Sequence, residues 1–397
     1  MSYELLSKLF YKEPDTYEAR YDQRFHSDTA IKLPLFINNH QAFFMTPLEM
    51  INKTEAIFKL NTAVNVISKD VPVSALNFLI NRFLKDEIAL TNDIEGITST
   101  EKEIETAVSS QNNKKKVRFK GLAAKYLKLI QADEISLNTC EDIRKLYDDI
   151  VSDEIAAKNA PDGKIFRKDM VHIVSATQKE KHRGIMPETQ IIEYMNYCLD
   201  LLKSDRMNTL IKTAVFHYFF GYIHPFYDGN GRTSRFISSC LLKDELGLLI
   251  SLRLSYVIKN NLKVYYNAFD ICNDVRNKGE ITYFILMFLD LLAEAGTYLV
   301  EILNNLRDQL FFYKTLIDAS DMKKTKKELL NILCQVSLFA ESYMTVDELQ
   351  QFLKLGNTSI RYILKELDEE GYLIKTKNGK KIGYAANLAS IDRMKQG

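Results

Sequence analysis

Gly221-Tyr222-Ile223-His224-Pro225-Phe226-Tyr227-Asp228-Gly229-Asn230-Gly231-Arg232-Thr233-Ser234-Arg235 is the stretch from which the rest of the chain can be read. Ahead of it, Leu210, Ile211, Ala214, Val215, Tyr218 and Phe219 recur at helical spacing, and behind it so do Phe236, Ile237, Cys240 and Leu241. The stretch is therefore a loop between two buried helices, ending at the N-terminus of the second. Gly229 and Gly231 tolerate positive φ, so backbone N–H groups there can turn inward as an anion nest. The open N–H groups and positive dipole end of the following helix point the same way. Arg232 and Arg235 add two forked cations suited to phosphate oxygens. Asp228 is a hard oxygen ligand beside the nest, where Mg²⁺ could bridge phosphates. His224, with an unperturbed pKa of about 6.5, is mostly neutral at about pH 7 and can accept a proton from an attacking hydroxyl.

Singly, each of these residues has an ordinary role. A His before Pro packs or caps, an Asp before Gly turns the chain, and an Arg in a first helical turn is solvated. Together they make a poor core and an odd surface loop, which points to a phosphate-handling site. Neither G-x-x-x-x-G-K-[ST] nor G-x-G-x-x-G occurs, so the cradle is of another kind.

The 397 residues suggest two to three domains. With 53 Lys+Arg against 52 Asp+Glu the net charge is +1, which excludes a globally basic nucleic-acid coat and an acidic tail protein. Five scattered cysteines without C-x-x-C spacing argue against a disulfide framework or zinc knuckle and fit a reducing, cytoplasmic setting. The N-terminus lacks the apolar run of a secretory signal. The most apolar stretch, Ile281 to Leu289, is short and is followed by Asp290 and Glu294, so no membrane partner is expected.

Working outward, residues 1–45 show no clear period, whereas Pro47 to Gly96 is helical, most clearly at Leu76, Leu79, Ile80, Phe83 and Leu84. Asn112-Asn113-Lys114-Lys115-Lys116 reads as a basic loop, residues 118–158 as helices, and 159–163 as a break. Residues 164–187 read as a hairpin, with strand character at Met170 to Val174 and a basic tip of Lys179, Lys181, His182 and Arg183. Helices resume at Glu188. After a Lys-rich linker near 321–327, Thr345-Val346-Asp347-Glu348 opens a helix as a capping box. Asn357-Thr358-Ser359 opens another that Gly371 stops, and Asn378-Gly379 joins two strand-like runs. Helix, helix, helix, hairpin is the order of a winged helix-turn-helix.

The central loop resembles the signature of the Fic family, H-P-F-x-[DE]-G-N-G-R-x-x-R, with all nine specified positions filled from His224 to Arg235. The resemblance implies a mainly α fold: a helical Fic core with a short β-hairpin flap, followed here by the winged helix-turn-helix. It divides the chain into an N-terminal helical region (1–84), a Fic domain (85–318) with an inhibitory helix near 87–96, and a C-terminal winged helix (319–397). Enzymes of this family transfer AMP from ATP to a Tyr, Ser or Thr hydroxyl of a target protein. By resemblance, His224 is the general base, Asp228 the Mg²⁺ ligand and Phe226 the buried anchor of the loop. Gly229, Asn230 and Gly231 cradle the α- and β-phosphates, Arg232 and Arg235 hold the triphosphate, and Thr233 and Ser234 belong to the same ATP-binding turn. Gly231, where the kinase-like Doc branch carries Lys, favours AMP transfer. The hairpin at 164–187 matches the flap that holds the target as an added strand. Asn261, four residues before Tyr265-Tyr266, resembles a residue near the adenine.

Upstream, Thr91-Asn92-Asp93-Ile94-Glu95-Gly96 resembles the family's inhibitory motif [ST]-x-x-x-E-[GN]. On that resemblance Glu95 pairs with Arg235 and keeps ATP out of line; in some relatives the same Glu serves removal of AMP. The expected partners are ATP and a hydroxyl-bearing protein, the chain itself included, and a homodimer is compatible with this. A regulator of another class competes with the enzyme, its winged helix on DNA and its core only sensing nucleotide. Residues 323–397 carry 13 Lys+Arg against 9 Asp+Glu, but Arg361 and Lys365 are offset by Glu366, Asp368, Glu369 and Glu370, so DNA is the less favoured partner.

Overall fold

A computed structural model describes residues 3–111, 116–151, 154–174, 180–205, 207–378 and 381–396. Asn112 to Lys115 of the basic run, Lys179 of the hairpin tip, and Gly379 and Lys380 of the C-terminal turn lie outside the described residues. The chain forms two compact units, one of Met1–Asn61 with Leu84–Thr297 and one of Thr62–Phe83 with Tyr298–Gly397. Both are mainly helical.

The N-terminal part of the first unit contains α1 (Leu6–Lys12), α2 (Tyr17–Phe25), the antiparallel strands β1 (Ala30–Ile37) and β2 (His40–Met45), and part of α3 (Leu48–Lys69). After α4 (Val73–Ile94) come α5 (Glu101–Ser109), α6 (Lys120–Ile130), α7 (Cys140–Val151), the hairpin β3 (His172–Val174) and β4 (Glu180–Arg183), α8 (Glu188–Lys203), α9 (Thr209–Ile223), α10 (Asn230–Ser251), α11 (Leu254–Asn260), α12 (Leu262–Cys272) and α13 (Thr282–Ala319). The mainly α class with a short flap hairpin is as expected. The first 45 residues are not irregular, however. Leu33, Leu35 and Ile37 are buried while Lys32, Pro34 and Phe36 are exposed, a period of two hidden in the sequence by an almost unbroken apolar run. Pro34 lies where the register shifts between Lys32 and Phe36, a place a strand tolerates it. Asn38 and Asn39 both have positive φ and close the turn. The Asn38 N–H then donates to the Tyr222 hydroxyl at 3.2 Å, tying the hairpin to the end of α9.

Helix α9 is apolar nearly all round and packs against α8 and α10. Asn208 caps its start, its Oδ1 accepting the Leu210 N–H at 2.9 Å. His224 ends it in the left-handed region, at φ 53° and ψ 63°. By its length and composition α13 could cross a membrane, but 61% of its most apolar window is buried inside the protein, as in a core helix. All five cysteines are buried free thiols.

The second unit contains the remainders of α3, α4 and α13, then α14 (Lys324–Gln335), α15 (Val346–Phe352), α16 (Asn357–Glu369), the antiparallel pair β5 (Leu373–Asn378) and β6 (Lys381–Ala386), and α17 (Leu388–Ile391). The Thr345 capping box is present, with the Thr345 N–H donating to Glu348 Oε2 at 2.7 Å. Within this unit Arg82 pairs with Glu341 at 2.7 Å and Phe78 packs on Phe352.

In the first unit α4 is held by a buried carboxylate. Glu87, fully buried, accepts the Ser255 N–H at 3.0 Å, the Ser255 hydroxyl at 2.5 Å and the Tyr126 hydroxyl at 3.2 Å. It thereby caps the start of α11 with an acid, which the helix dipole favours. Burial raises its pKa, and the Ser255 bonds and the Arg253 and Arg235 charges oppose that rise. Glu87→Ala strands a buried N–H and two hydroxyls, and we expect a loss of about 2–4 kcal/mol in urea unfolding. A change within about 0.5 kcal/mol would mean that water replaces the carboxylate without cost.

Candidate active site

The loop from His224 to Gly229 is closed on itself by one side chain. Asn230, the first residue of α10, accepts the Phe226 N–H at 3.0 Å and donates to the Phe226 carbonyl at 2.8 Å. Phe226 is fully buried, stacked on Tyr147 with ring centroids 3.7 Å apart and edge-on to Phe166. Its anchoring role is structurally apparent. Asn230 is expected in the phosphate cradle, but its amide is committed to the loop, so only its backbone N–H can face a ligand. Gly229 precedes α10 at φ 75°, and a Cβ there would stand 3.0 Å from Val151 Cγ2. Backbone conformation and contact both disfavour a side chain there. The first N–H groups of α10 follow, without helical partners.

Both arginines are buried and already paired. Arg232 donates from Nη1 to Glu154 Oε2 at 2.6 Å, and among the described residues its Nε has no hydrogen-bond partner. Glu154, which the sequence does not single out, also accepts the Phe119 N–H. Arg235 donates from Nε to Thr91 Oγ1 at 2.7 Å and from Nη2 to the Thr91 carbonyl at 2.9 Å and Glu95 Oε1 at 2.7 Å. Burial opposes its charge, but Glu95, with Tyr265 and Tyr266, raises its pKa. Glu95 lies just past the end of α4, with its side chain 30% exposed. Its carboxylate presses on the loop: a Cβ on Gly231 would fall 1.9 Å from Glu95 Oε1.

The remaining residues of the turn face inward. Thr233 Oγ1 donates to the Gly229 carbonyl at 3.0 Å, and Ser234 Oγ lies 3.2 Å from His217 Nδ1. His217 is fully enclosed, with Nδ1 2.8 Å from Ser238 Oγ and Nε2 2.8 Å from the Tyr265 hydroxyl. Tyr265 in turn hydrogen-bonds Arg235. A polar ring on an otherwise apolar helix was the available signal for this network, which reaches Arg235 from behind. Asn261 is not drawn into it. Its amide donates to the Val257 carbonyl and to Glu294 Oε2 at 2.8 Å, and it borders a groove of about 560 Å³ beside Tyr3, Tyr283 and Met287. Of the tyrosines that follow it, Tyr266 donates to the Ile94 carbonyl at the end of α4, at 3.4 Å.

His224 is half-buried, with Nδ1 3.3 Å from the Gly221 carbonyl. Burial lowers its pKa to about 4; the Gly221 contact and Glu95 oppose this, while Arg167 and His182 add to it. Asp228 is exposed, and its Oδ1 accepts the Gly229 N–H at 2.6 Å. Among the described residues no three His, Cys, Asp or Glu side chains converge as a metal cage. An exposed carboxylate beside a nest of N–H groups suits Mg²⁺, which takes one or two carboxylates and fills its other positions with phosphate oxygens and water.

The flap hairpin is fastened beside the loop. His182 and Arg183 lie in β4 rather than at its tip, and His182 Nε2 is 2.6 Å from the Tyr222 carbonyl. The Ile185 N–H donates to the Ile223 carbonyl at 3.1 Å. Between them sits Arg167, which resembles a solvated residue in sequence, beside Lys168 and Asp169, but is fully buried.

Residues 137–242, from the approach to α7 into α10, match the Fic/DOC family. The fold is a Fic fold. A Fic family protein from Desulfovibrio desulfuricans G20 is similar over 87% of this chain and 97% of its own, at 18% identity and a TM-score of 0.53. A Fic domain containing signaling protein from Bacteroides thetaiotaomicron VPI-5482 aligns over 63% of this chain and 97% of its own, at 18% identity and a TM-score of 0.44. Fic-1 from C. elegans aligns over 65% and 75%, at 17% identity and a TM-score of 0.44.

The site carries a pH signature. Burial, with Arg235 adding to it, lowers His217 from 6.5 to about 3, as burial lowers His224 to about 4. A depressed histidine pKa means that protonation favours the unfolded chain. The stability it contributes is complete above the unfolded value of 6.5 and is lost as the pH falls toward the folded value. The urea midpoint should therefore drop between about pH 6.5 and 4, and less steeply in His217→Asn. Equal slopes in the two proteins would mean that His217 titrates normally when folded.

Proposed function

We propose that this protein is an ATP-dependent adenylyltransferase acting on proteins, and that Glu95 restrains it. The observation that carries this is the shared position of Glu95, Gly231 and Arg235. The N-terminus of α10 and the Arg235 guanidinium make a positive cradle, and a carboxylate rests in it 2.7 Å from the arginine. A terminal phosphate directed to Arg235 would compete with that carboxylate for one volume and one partner.

The chemistry follows from the groups present. A target hydroxyl oxygen attacks the α-phosphorus of ATP, and the bond from that phosphorus to the bridging oxygen breaks. The hydroxyl proton passes to His224, which burial keeps neutral. With Nδ1 turned to the Gly221 carbonyl, Nε2 is the nitrogen left for that proton. Negative charge gathers on the departing pyrophosphate, where the α10 N–H groups and Arg235 offset it. Bound Mg²⁺ would supply further charge neutralisation there, and Asp228 is the residue that would hold it. The flap would present the target as an added strand, its hydroxyl toward His224.

With ATP labelled at the α-phosphate, Glu95→Gly should incorporate label into protein at least about tenfold faster than wild type, because the Glu95 carboxylate no longer competes for Arg235. His224→Ala in that background should lose transfer and keep ATP affinity within a few-fold. If Glu95→Gly does not gain transfer and instead loses release of AMP from a modified protein, Glu95 serves the hydrolytic direction.

For the C-terminal unit we propose a winged helix-turn-helix that positions targets or subunits rather than reading DNA. Lys326 pairs with Glu370 at 2.6 Å, Lys375 with Asp368, and Lys365 with Glu369. These three cations are thus neutralised within the unit. Any affinity of the whole chain for duplex DNA should be weak and should vanish between about 50 and 200 mM salt. Tight binding to one sequence across that range would make the protein a regulator as well.

A further inference from the structure

Arg167 is the most deeply buried cation that the chemistry above leaves without a role, and it has no carboxylate in hydrogen-bond contact among the described residues. Its guanidinium is spent on main-chain carbonyls. Nε donates to the His224 carbonyl at 2.8 Å, Nη1 to Asp169 at 2.6 Å, and Nη2 to Ile185 at 2.8 Å and Ile223 at 3.2 Å. Its own backbone N–H donates to the Pro225 carbonyl at 3.2 Å. These acceptors belong to three segments: the approach to the flap, the exit from it, and the end of α9 where His224 stands. The space is made to measure, since a Cβ on Gly184 would lie 2.3 Å from Arg167 Nη2.

Two physical needs meet here. The last carbonyls of α9 have no helical partners and carry the negative end of its dipole, so a cation satisfies them twice over. His224 also holds a left-handed conformation, φ 53°, which is strained for a non-glycine residue and persists only where its surroundings over-determine it. The His224 backbone has its N–H on the Phe220 carbonyl and its carbonyl on Arg167, so its orientation is fixed from both sides. A lysine could reach one or two of these carbonyls but not fan across four.

Resting on the transferase reading, we propose that Arg167 is a positioning residue that locks the base His224 and the target-holding flap into one register. It does not touch the reacting atoms. It fixes the distance between the group that takes the proton and the strand edge that brings the hydroxyl.

The test uses the full chain with Arg167→Met and Arg167→Lys, each also carrying Glu95→Gly for turnover. Amide exchange read by mass spectrometry should accelerate at least about tenfold at Gly184 and Ile185 in Arg167→Met, while the buried amides from Phe236 to Leu242 keep their wild-type rates. Turnover should fall on the order of 100-fold with ATP affinity within about twofold, and Arg167→Lys should recover a part of it. Local acceleration without AMP transfer by any variant would uphold the positioning role and remove the transferase reading. Wild-type exchange at Ile185 in Arg167→Met would overturn the positioning role. So would uniform acceleration through α10 that Arg167→Lys fails to reverse, since Arg167 would then only stabilise the fold.

Discussion

A guanidinium buried near the N-terminal end of a helix cannot be left without an anion. Arg235 is 1% exposed and lies in the second turn of α10, where the helix's own open N–H groups are already positive. Two charges of one sign in so dry a place are tolerable only with a negative partner close by. Glu95 is that partner here, and its carboxylate has the charge and much of the donor preference of a phosphate. The same electrostatic demand explains why a nearby acid occupies the site.

Around that constraint the scaffold is unusually polar for a core. Thr233, Ser234, Ser238 and His217 are all buried, and each hydroxyl or ring nitrogen finds a partner at helical spacing, across α9 and α10, or on Tyr265 of α12. A fully satisfied network of this kind specifies one packing, because a shift by one residue would strand several polar groups together. His217 stays uncharged within it, its pKa lowered to about 3, and so adds no further positive charge next to Arg235. On the other side, Tyr147 and Phe166 enclose Phe226.

The loop was legible in sequence because its chemistry is contiguous: nest, acid, arginines and imidazole stand within twelve residues. Helical periodicity also sufficed for α9 and α10, and a short motif sufficed to pair Glu95 with Arg235. What sequence could not carry was partnership at a distance. Arg232 meets Glu154, 78 residues away, and nothing near either residue announces the other. Asn230 reads as a phosphate ligand although its side chain closes the loop. Arg167, flanked by Lys168 and Asp169, has the local composition of a solvated turn. In β1 the alternation of buried and exposed residues was masked because the exposed positions include Pro34 and Phe36, so pattern alone suggested no strand. In each case, tertiary placement overrides what residue type suggests.

The hold that Glu95 has on the site is local. Upstream in α4, Glu87 is fixed by Ser255 and Tyr126, and Thr91 keeps two bonds to Arg235 that do not involve Glu95. Glu95 itself comes after the last helical residue, and Gly96, at φ 71°, turns the chain away. A movement of the last turn or of one side chain is therefore enough to withdraw the carboxylate. The helix body and the Thr91 contacts stay in place, so Arg235 keeps its orientation. A carboxylate 30% exposed is also less costly to return to water than a fully buried one. The contact of Glu95 with Arg235 thus combines a rigid support with a partly exposed tip, so the carboxylate can leave the arginine without unfolding the helix that carries it.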